Sequence, residues 1–215
     1  MVRIVGGVTL VALAAGLVMA FGVAPREVTQ GNVQRIMYVH VPSVWVAYLA
    51  FAVVLVASIV YLARRVASAD RLAHASAEVG VLFTGLTIAT GSIWGKPTWG
   101  TWWTWDARLT SVSILFVMYL GYLLLRGMIE DPDQGARYAA VLGIVAAFNI
   151  PLVHFSVYWW RTLHQPPSLM KPGPGTMPGV IVAALMVNFV AFSLLYVYFV
   201  AKRVNLLRRE AEAAA

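Results

Sequence analysis

The sequence predicts an all-α integral membrane protein: six transmembrane helices with short loops, one outer loop being rich in tryptophan. Three observations carry that prediction. The 215 residues are 60% hydrophobic and only 12% charged, with a mean hydropathy of +0.77, a composition suited to lipid rather than water. Charge-free runs occupy 4–25, 36–63, 79–95, 109–125, 138–160 and 172–201, each near or above the roughly 18–20 residues that cross a hydrocarbon core. Between the third and fourth runs, tryptophans crowd together. Six spans use well over half the chain, which leaves a single membrane domain over 1–215.

The spans are expected at about 4–23, 43–63, 76–94, 109–127, 139–158 and 179–200. The first is apolar throughout; with Arg3 ahead of it, it resembles a signal peptide, but its apolar core exceeds the roughly 7–15 residues of such a segment, so it reads as a span. Residues 24–42 follow, where Val33, Ile36, Met37 and His40 recur at helical spacing on one face of a short amphipathic helix. Pro42 is expected to interrupt that helix before the second span. The third span carries Thr84, Gly85, Thr87, Thr90 and Gly91, small and hydroxyl residues that mark close helix packing. The fourth starts at Leu109, and the turn after it contains Pro132 and Gly135. In the fifth, Asn149-Ile150-Pro151 predicts a kink, because proline removes a backbone bond. His154 beyond it reads as a packing or hydrogen-bonding residue. The segment 155–178 becomes rich in Pro and Gly, and the Ala-rich C-terminus after the sixth span is expected to fray. No internal repeat is evident.

Basic residues orient the bundle. With both termini cytoplasmic, ten Lys and Arg lie inside against six outside, namely Arg26, Arg35, Lys96, Arg108, Arg161 and Lys171, as the positive-inside rule requires. Seven of the nine acids also fall inside, leaving Glu27 and Asp106 outside. The outer face is thus cationic and suits an anionic ligand or partner. The absence of cysteine excludes disulfides, thiol redox chemistry, iron–sulfur clusters and cysteine zinc sites.

Residues 94–111 read WGKPTWGTWWTWDARLTS, with Trp94, Trp99, Trp102, Trp103 and Trp105 inside twelve residues and Asp106 and Arg108 closing the stretch. Indole is the largest flat apolar surface among side chains and carries one donor. An aromatic belt should populate both membrane interfaces. Here all eight tryptophans, including Trp45, Trp159 and Trp160, fall at the outer side, as do His40, His154 and His164. His74 lies inside and is given no role. Flat aromatics, imidazoles and guanidinium groups, with few carboxylates, match the needs of haem: aromatic walls, axial imidazoles and charge-assisted partners for propionates. The candidate axial ligands are His40 and His164. The platform is Trp94, Trp99, Trp102, Trp103 and Trp105 with Asp106, which is expected to orient Arg108 or an indole N–H. The propionate partners are Arg35 and Arg108, with Arg161 and Lys96 behind them; Trp159, Trp160 and Arg161 are secondary candidates for the site.

That stretch closely resembles the tryptophan-rich WWD signature of the haem-handling proteins of cytochrome c maturation. The flanking segments QGNVQRIMYVHVP and SVYWWRTLHQP resemble the first and third periplasmic loops of the CcmC family within that group. The resemblance covers essentially the whole chain. It implies a protein of the cytoplasmic (inner) membrane that holds haem b on its periplasmic face, through two loop histidines matching His40 and His164 and arginines matching Arg35 and Arg108. It further implies delivery to a periplasmic haem chaperone, alongside ABC-transporter subunits and a small single-span subunit. No nucleic-acid partner is expected, and any activity would be haem transfer, lyase-like toward the chaperone, rather than classical catalysis. Two other readings rank lower. A b-type cytochrome would want histidine pairs within the bilayer, where only His154 lies. A haem-transporting permease would place ionisable residues in the membrane interior, where these spans have essentially none, so it survives only as a subunit of an ABC complex.

Overall fold

The computed structural model describes residues 2–166 and 177–214. In chain order it contains α1 (Val2–Val18) ending in a π turn (Met19–Val23), a 3₁₀ turn (Val33–Ile36), α2 (Met37–Arg64), α3 (Ala67–Trp99), α4 (Ala107–Met128), α5 (Pro132–Ala147), α6 (Asn149–Trp159) and α7 (Gly179–Ala214). Six helical stretches are long and apolar enough to cross a membrane: Val2–Val23, Val33–Arg64, Ala67–Trp99, Ala107–Met128, Pro132–Trp159 and Gly179–Ala213. The chain is an all-α multi-pass membrane protein, as its composition predicts. Lys171, one of the cations assigned above to the outer side, lies outside the described residues.

Lipid tails offer helices no hydrophobic drive to associate, so packing and polar contacts must hold the bundle together. The hub is α2, which packs against α3, α5 and α7 through a face of buried Ala47, Ala50, Val54, Ala57 and Ser58. Phe51 of α2 stacks on Tyr119 of α4 with ring centroids 3.7 Å apart and planes 6° from parallel. The Tyr119 hydroxyl then donates to the Gly143 carbonyl of α5 at 3.2 Å. The first helix leans on α7, where Asn188 Nδ2 donates to the Gly16 carbonyl at 3.2 Å.

Ion pairs close the end of the bundle away from the tryptophans. Arg126 of α4 grips Asp70 of α3 in a bidentate fork at 2.6 and 2.7 Å. Arg203 of α7 grips Glu78 of α3 at 2.6 and 2.9 Å, with His74 Nε2 3.2 Å from the same carboxylate. His74 therefore belongs to the ion-pair network at that end.

Several helix boundaries depart from expectation, each for a local reason. The second helix begins at Met37 and runs through Pro42. Pro42, the sixth residue of α2, forfeits the bond to the carbonyl four residues back, and the adjacent Ser43 hydroxyl bonds back to the Val39 carbonyl at 2.7 Å. The third helix starts nine residues before the expected span, because 67–77 is dominated by alanine, the best helix former. It also continues through Trp99, so Trp94 is a helical residue and the tryptophan loop proper is short. Gly100, at φ 78°, ends the helix in the left-handed conformation that suits glycine, and its N–H donates to the Lys96 carbonyl at 3.0 Å. The fifth span breaks at Phe148 into α5 and α6, because Pro151 cannot donate to the Ala147 carbonyl. The C-terminal residues expected to fray stay helical to Ala214, a segment of Leu, Arg, Glu and Ala with high helix propensity, and Arg203 also bridges to Glu210 at 3.3 Å.

Candidate functional site

At the tryptophan-bearing end, the start of α2, the last turns of α3, the start of α4 and the segment after α6 enclose a cavity of ≈ 240 Å³. Its walls include His40, Trp94, Trp99, Arg108 and His164, together with Gln30 and Met37. A smaller recess of ≈ 60 Å³ shares His40, Arg108 and His164 and continues between α2, α3 and α4 past Tyr48 and Thr87.

Each histidine meets a different tryptophan of α3. His40, in the first turn of α2, lies edge-on to Trp94 with centroids 5.7 Å apart and planes at 77°. Its Nδ1 is 3.0 Å from Thr90 Oγ1. His164, in the segment after α6, lies against Trp99 with centroids 4.7 Å apart at 64°. Its Nδ1 is buried without a hydrogen-bond partner among the described residues. Burial, followed by the nearby Arg108 charge, lowers the His164 imidazole to about 4, so it is neutral at ordinary pH and its lone pair is free to ligate. Trp94 is fixed in turn, its indole N–H donating to Gln30 Oε1 at 2.8 Å. Glu27 shapes the turn that presents Gln30 by accepting the Thr29 N–H at 2.8 Å.

Arg108 is the cation of the cavity. Its guanidinium makes no hydrogen bond or ion pair among the described residues. Two imidazoles, two indole walls and a guanidinium with no partner among the described residues therefore face the same space. This donor set fits haem: imidazoles for iron, indoles for an apolar ring and a fork for a carboxylate.

The heme exporter protein C family model, CcmC, matches residues 1–215. The chain is 45% identical to Heme exporter protein C of Bradyrhizobium diazoefficiens over 203 residues, which cover 94% of this chain and 77% of that protein. It is 40% identical to Heme exporter protein C of Haemophilus influenzae over 206 residues, 95% of this chain and 84% of that one. The protein of the same name from Escherichia coli K12 is 40% identical over 163 residues, 76% of this chain and 66% of the relative.

The chain belongs to the heme exporter protein C family.

Within this CcmC-family chain, the residues singled out from sequence separate into three groups. His40, His164, Trp94, Trp99 and Arg108 come together around the cavity. Trp103 lies behind it, edge-on to Trp105 at 5.5 Å, while Trp102 and Trp105 are exposed, the latter at 76%. Trp159, Trp160 and Arg161 are exposed at and just beyond the end of α6, outside the cavity wall.

The third group serves the scaffold. Arg35 does not line the cavity; it donates to the Ala20 carbonyl and, at 3.1 Å, to the Ala24 carbonyl, groups left open where α1 ends in its π turn. Lys96 donates to the Gly100 carbonyl at 3.0 Å. Asp106 holds neither Arg108 nor an indole. One oxygen caps α4 by accepting the Leu109 N–H at 2.9 Å, and the other accepts the Leu163 N–H at 3.0 Å. His154 packs edge-on to Tyr48 and Phe155. Sequence reasoning missed two residues of the site, Thr90 and Gln30. Thr90 stands four residues before Trp94, on the same helix face, and that spacing was its available signal.

Proposed function

We propose that this protein holds haem b as its cargo at the outer face of the cytoplasmic membrane and delivers it to a periplasmic haem chaperone during c-type cytochrome biogenesis. One observation carries the reading: His40 on α2 and His164 beyond α6, far apart in sequence, line one cavity with Arg108. The relatives' name, Heme exporter protein C, supports a role in haem export for cytochrome c maturation.

In this reading His40 and His164 supply axial imidazoles and Trp94 and Trp99 flank the ring. Arg108 binds a propionate, and Arg35 acts indirectly, by holding the end of α1 against the turn that precedes His40. A cavity of ≈ 240 Å³ is smaller than the roughly 300–1,000 Å³ of pockets that enclose a ligand, which supports a cargo left partly uncovered. Partial exposure suits a carrier, since a fully enclosed haem could not be passed on. The exposed Trp102, Trp105, Trp159 and Trp160 form the surface on which the acceptor docks, in a complex with ABC-transporter subunits and a small single-span subunit.

The test is an absorption spectrum of the purified protein, oxidised and reduced, beside His40→Ala and His164→Ala. A haem band altered by both substitutions, with haem transfer to the chaperone lost, is the expected result. Spectra and transfer unchanged in both variants would remove the axial assignment. A protein that takes up no haem on reconstitution would turn the tryptophan surface into a docking face alone.

A further inference from the structure

We infer that Thr90 is a positioning residue: it accepts the Nδ1 proton of His40 and so fixes the imidazole tautomer whose Nε2 lone pair is presented to the haem cavity. The inference rests on the proposed haem-binding reading and assigns a role within that site to a residue of the neighbouring helix.

A threonine hydroxyl has one proton to give and two lone pairs to accept with. The Thr90 hydroxyl lies 2.7 Å from the Leu86 carbonyl and 3.3 Å from the Thr87 carbonyl. Both are backbone acceptors one turn back along α3, the usual destination of a helical threonine's proton. The proton is thereby committed to the backbone, and what Thr90 offers the imidazole nitrogen 3.0 Å away is a lone pair. Nδ1 must then be the N–H donor. A neutral imidazole carries a single N–H, so Nε2 is the bare nitrogen.

The surroundings hold the ring in that pose. Gly91, the next residue of α3, leaves room for it: a Cβ there would come within 2.9 Å of His40 Cε1. Trp94, one turn further on, meets the ring edge-on at 5.7 Å. Thr90, Gly91 and Trp94 thus form a cradle on one face of α3 for a histidine fifty residues earlier. His164 has no such device, since its Nδ1 is buried without a partner among the described residues. The two imidazoles are therefore held differently: a side chain fixes the tautomer of His40, whereas among the described residues none bonds Nδ1 of His164.

A hydrogen bond to the distal N–H of a ligating histidine fixes the tautomer and raises its basicity, and losing such a partner typically costs about 10–100-fold in metal affinity. Thr90→Val keeps the branched shape and removes the hydroxyl; Thr90→Ser keeps the hydroxyl. In the haem-free protein, ¹⁵N NMR of the histidine side chains is expected to show His40 as the Nδ1–H tautomer in wild type and Thr90→Ser, and as a tautomer mixture in Thr90→Val. With haem bound, Thr90→Val should hold it about 10–100-fold more weakly, with a higher reduction potential because the imidazole donates less charge. Thr90→Ser should stay close to wild type in both respects.

A wild-type His40 protonated on Nε2, or a Thr90→Val protein with unchanged tautomer, affinity and potential, would overturn the inference. So would Thr90→Ser behaving as Thr90→Val, which would mark the residue as packing alone. Failure of the underlying reading looks different: wild type itself would take up no haem, while the NMR of the haem-free protein would still report the tautomer.

Discussion

Asp106 Oδ2 accepts the backbone N–H of Leu163 at 3.0 Å while its Oδ1 caps α4 through the Leu109 N–H at 2.9 Å. One carboxylate thus ties the segment bearing His164 to the helix bearing Arg108. The aspartate of the tryptophan stretch works as a joint between two elements that face the cavity, with both its oxygens engaged by backbone.

Removing that joint should damage the site more than the fold. Losing an N-cap alone costs about 1 kcal/mol, a modest change in melting temperature. Asp106→Ala should also free Leu163 and with it His164, so haem retention should fall further than Asp106→Asn, which keeps an acceptor oxygen. Parallel thermal melts and haem titrations check this. Equal haem affinity in wild type and Asp106→Ala would refute the coupling.

Arg108 lines the cavity with no side-chain partner among the described residues, and in the proposed function it meets the anionic edge of the cargo. A hydrogen bond to a charged group contributes about 1.5–3 kcal/mol, so Arg108→Gln should weaken haem binding by roughly 10–100-fold. Haem dimethyl ester, whose carboxylates are blocked, should bind wild type and variant alike. A persistent difference with the ester would mean that Arg108 acts on something other than the propionates.

The tryptophans should divide by position. Trp99→Ala removes the ring against which His164 rests and should perturb the haem spectrum. Trp102→Ala and Trp105→Ala alter exposed side chains, so they should leave the spectrum intact and slow transfer to the acceptor. Spectra of the loaded variants followed by transfer assays separate the two effects, and a spectral change in Trp105→Ala would contradict the division.

At the other end, Arg126 and Asp70 are only 14% and 17% exposed. Removing one partner of a buried pair typically costs about 3–5 kcal/mol, because the remaining charge is left uncompensated. Asp70→Ala should therefore lower the unfolding temperature markedly, and adding Arg126→Met should restore part of the loss. Haem spectra should not change in either variant; a spectral shift would show that this clamp reaches the site.

The fold was legible because hydropathy runs measure the one property a span needs, and all six spans lie where those runs fall. The helix ends were less legible. Pro42 and Pro97 each remove one intrahelical bond, yet both helices run through them close to an end, where few turns are disturbed. Among site residues, His40, His164 and the two nearer tryptophans stood out by chemical type. Arg35 and Arg108 could not be told apart from sequence, since both are arginines on the same side. Only the folded chain shows that the π turn ending α1 leaves carbonyls that occupy Arg35. Thr90 reads as a packing residue from sequence: its spacing from Trp94 is visible there, but the histidine it meets lies fifty residues earlier in the chain.

The third helix is one unbroken element from Ala67 to Trp99. At 1.5 Å per residue it is about 50 Å long, well beyond the roughly 30 Å of a hydrocarbon core. Near one tip it is riveted to α4 and α7 through Asp70 and Glu78, and near the other it carries Thr90, Trp94 and Trp99. Such a rod is a lever. A tilt of about 5° at the riveted tip would swing the far tip by about 4 Å over that length. Because α3 packs along α2 and also meets α4 and α7, such a tilt would have to repack those seams before it reached the cavity.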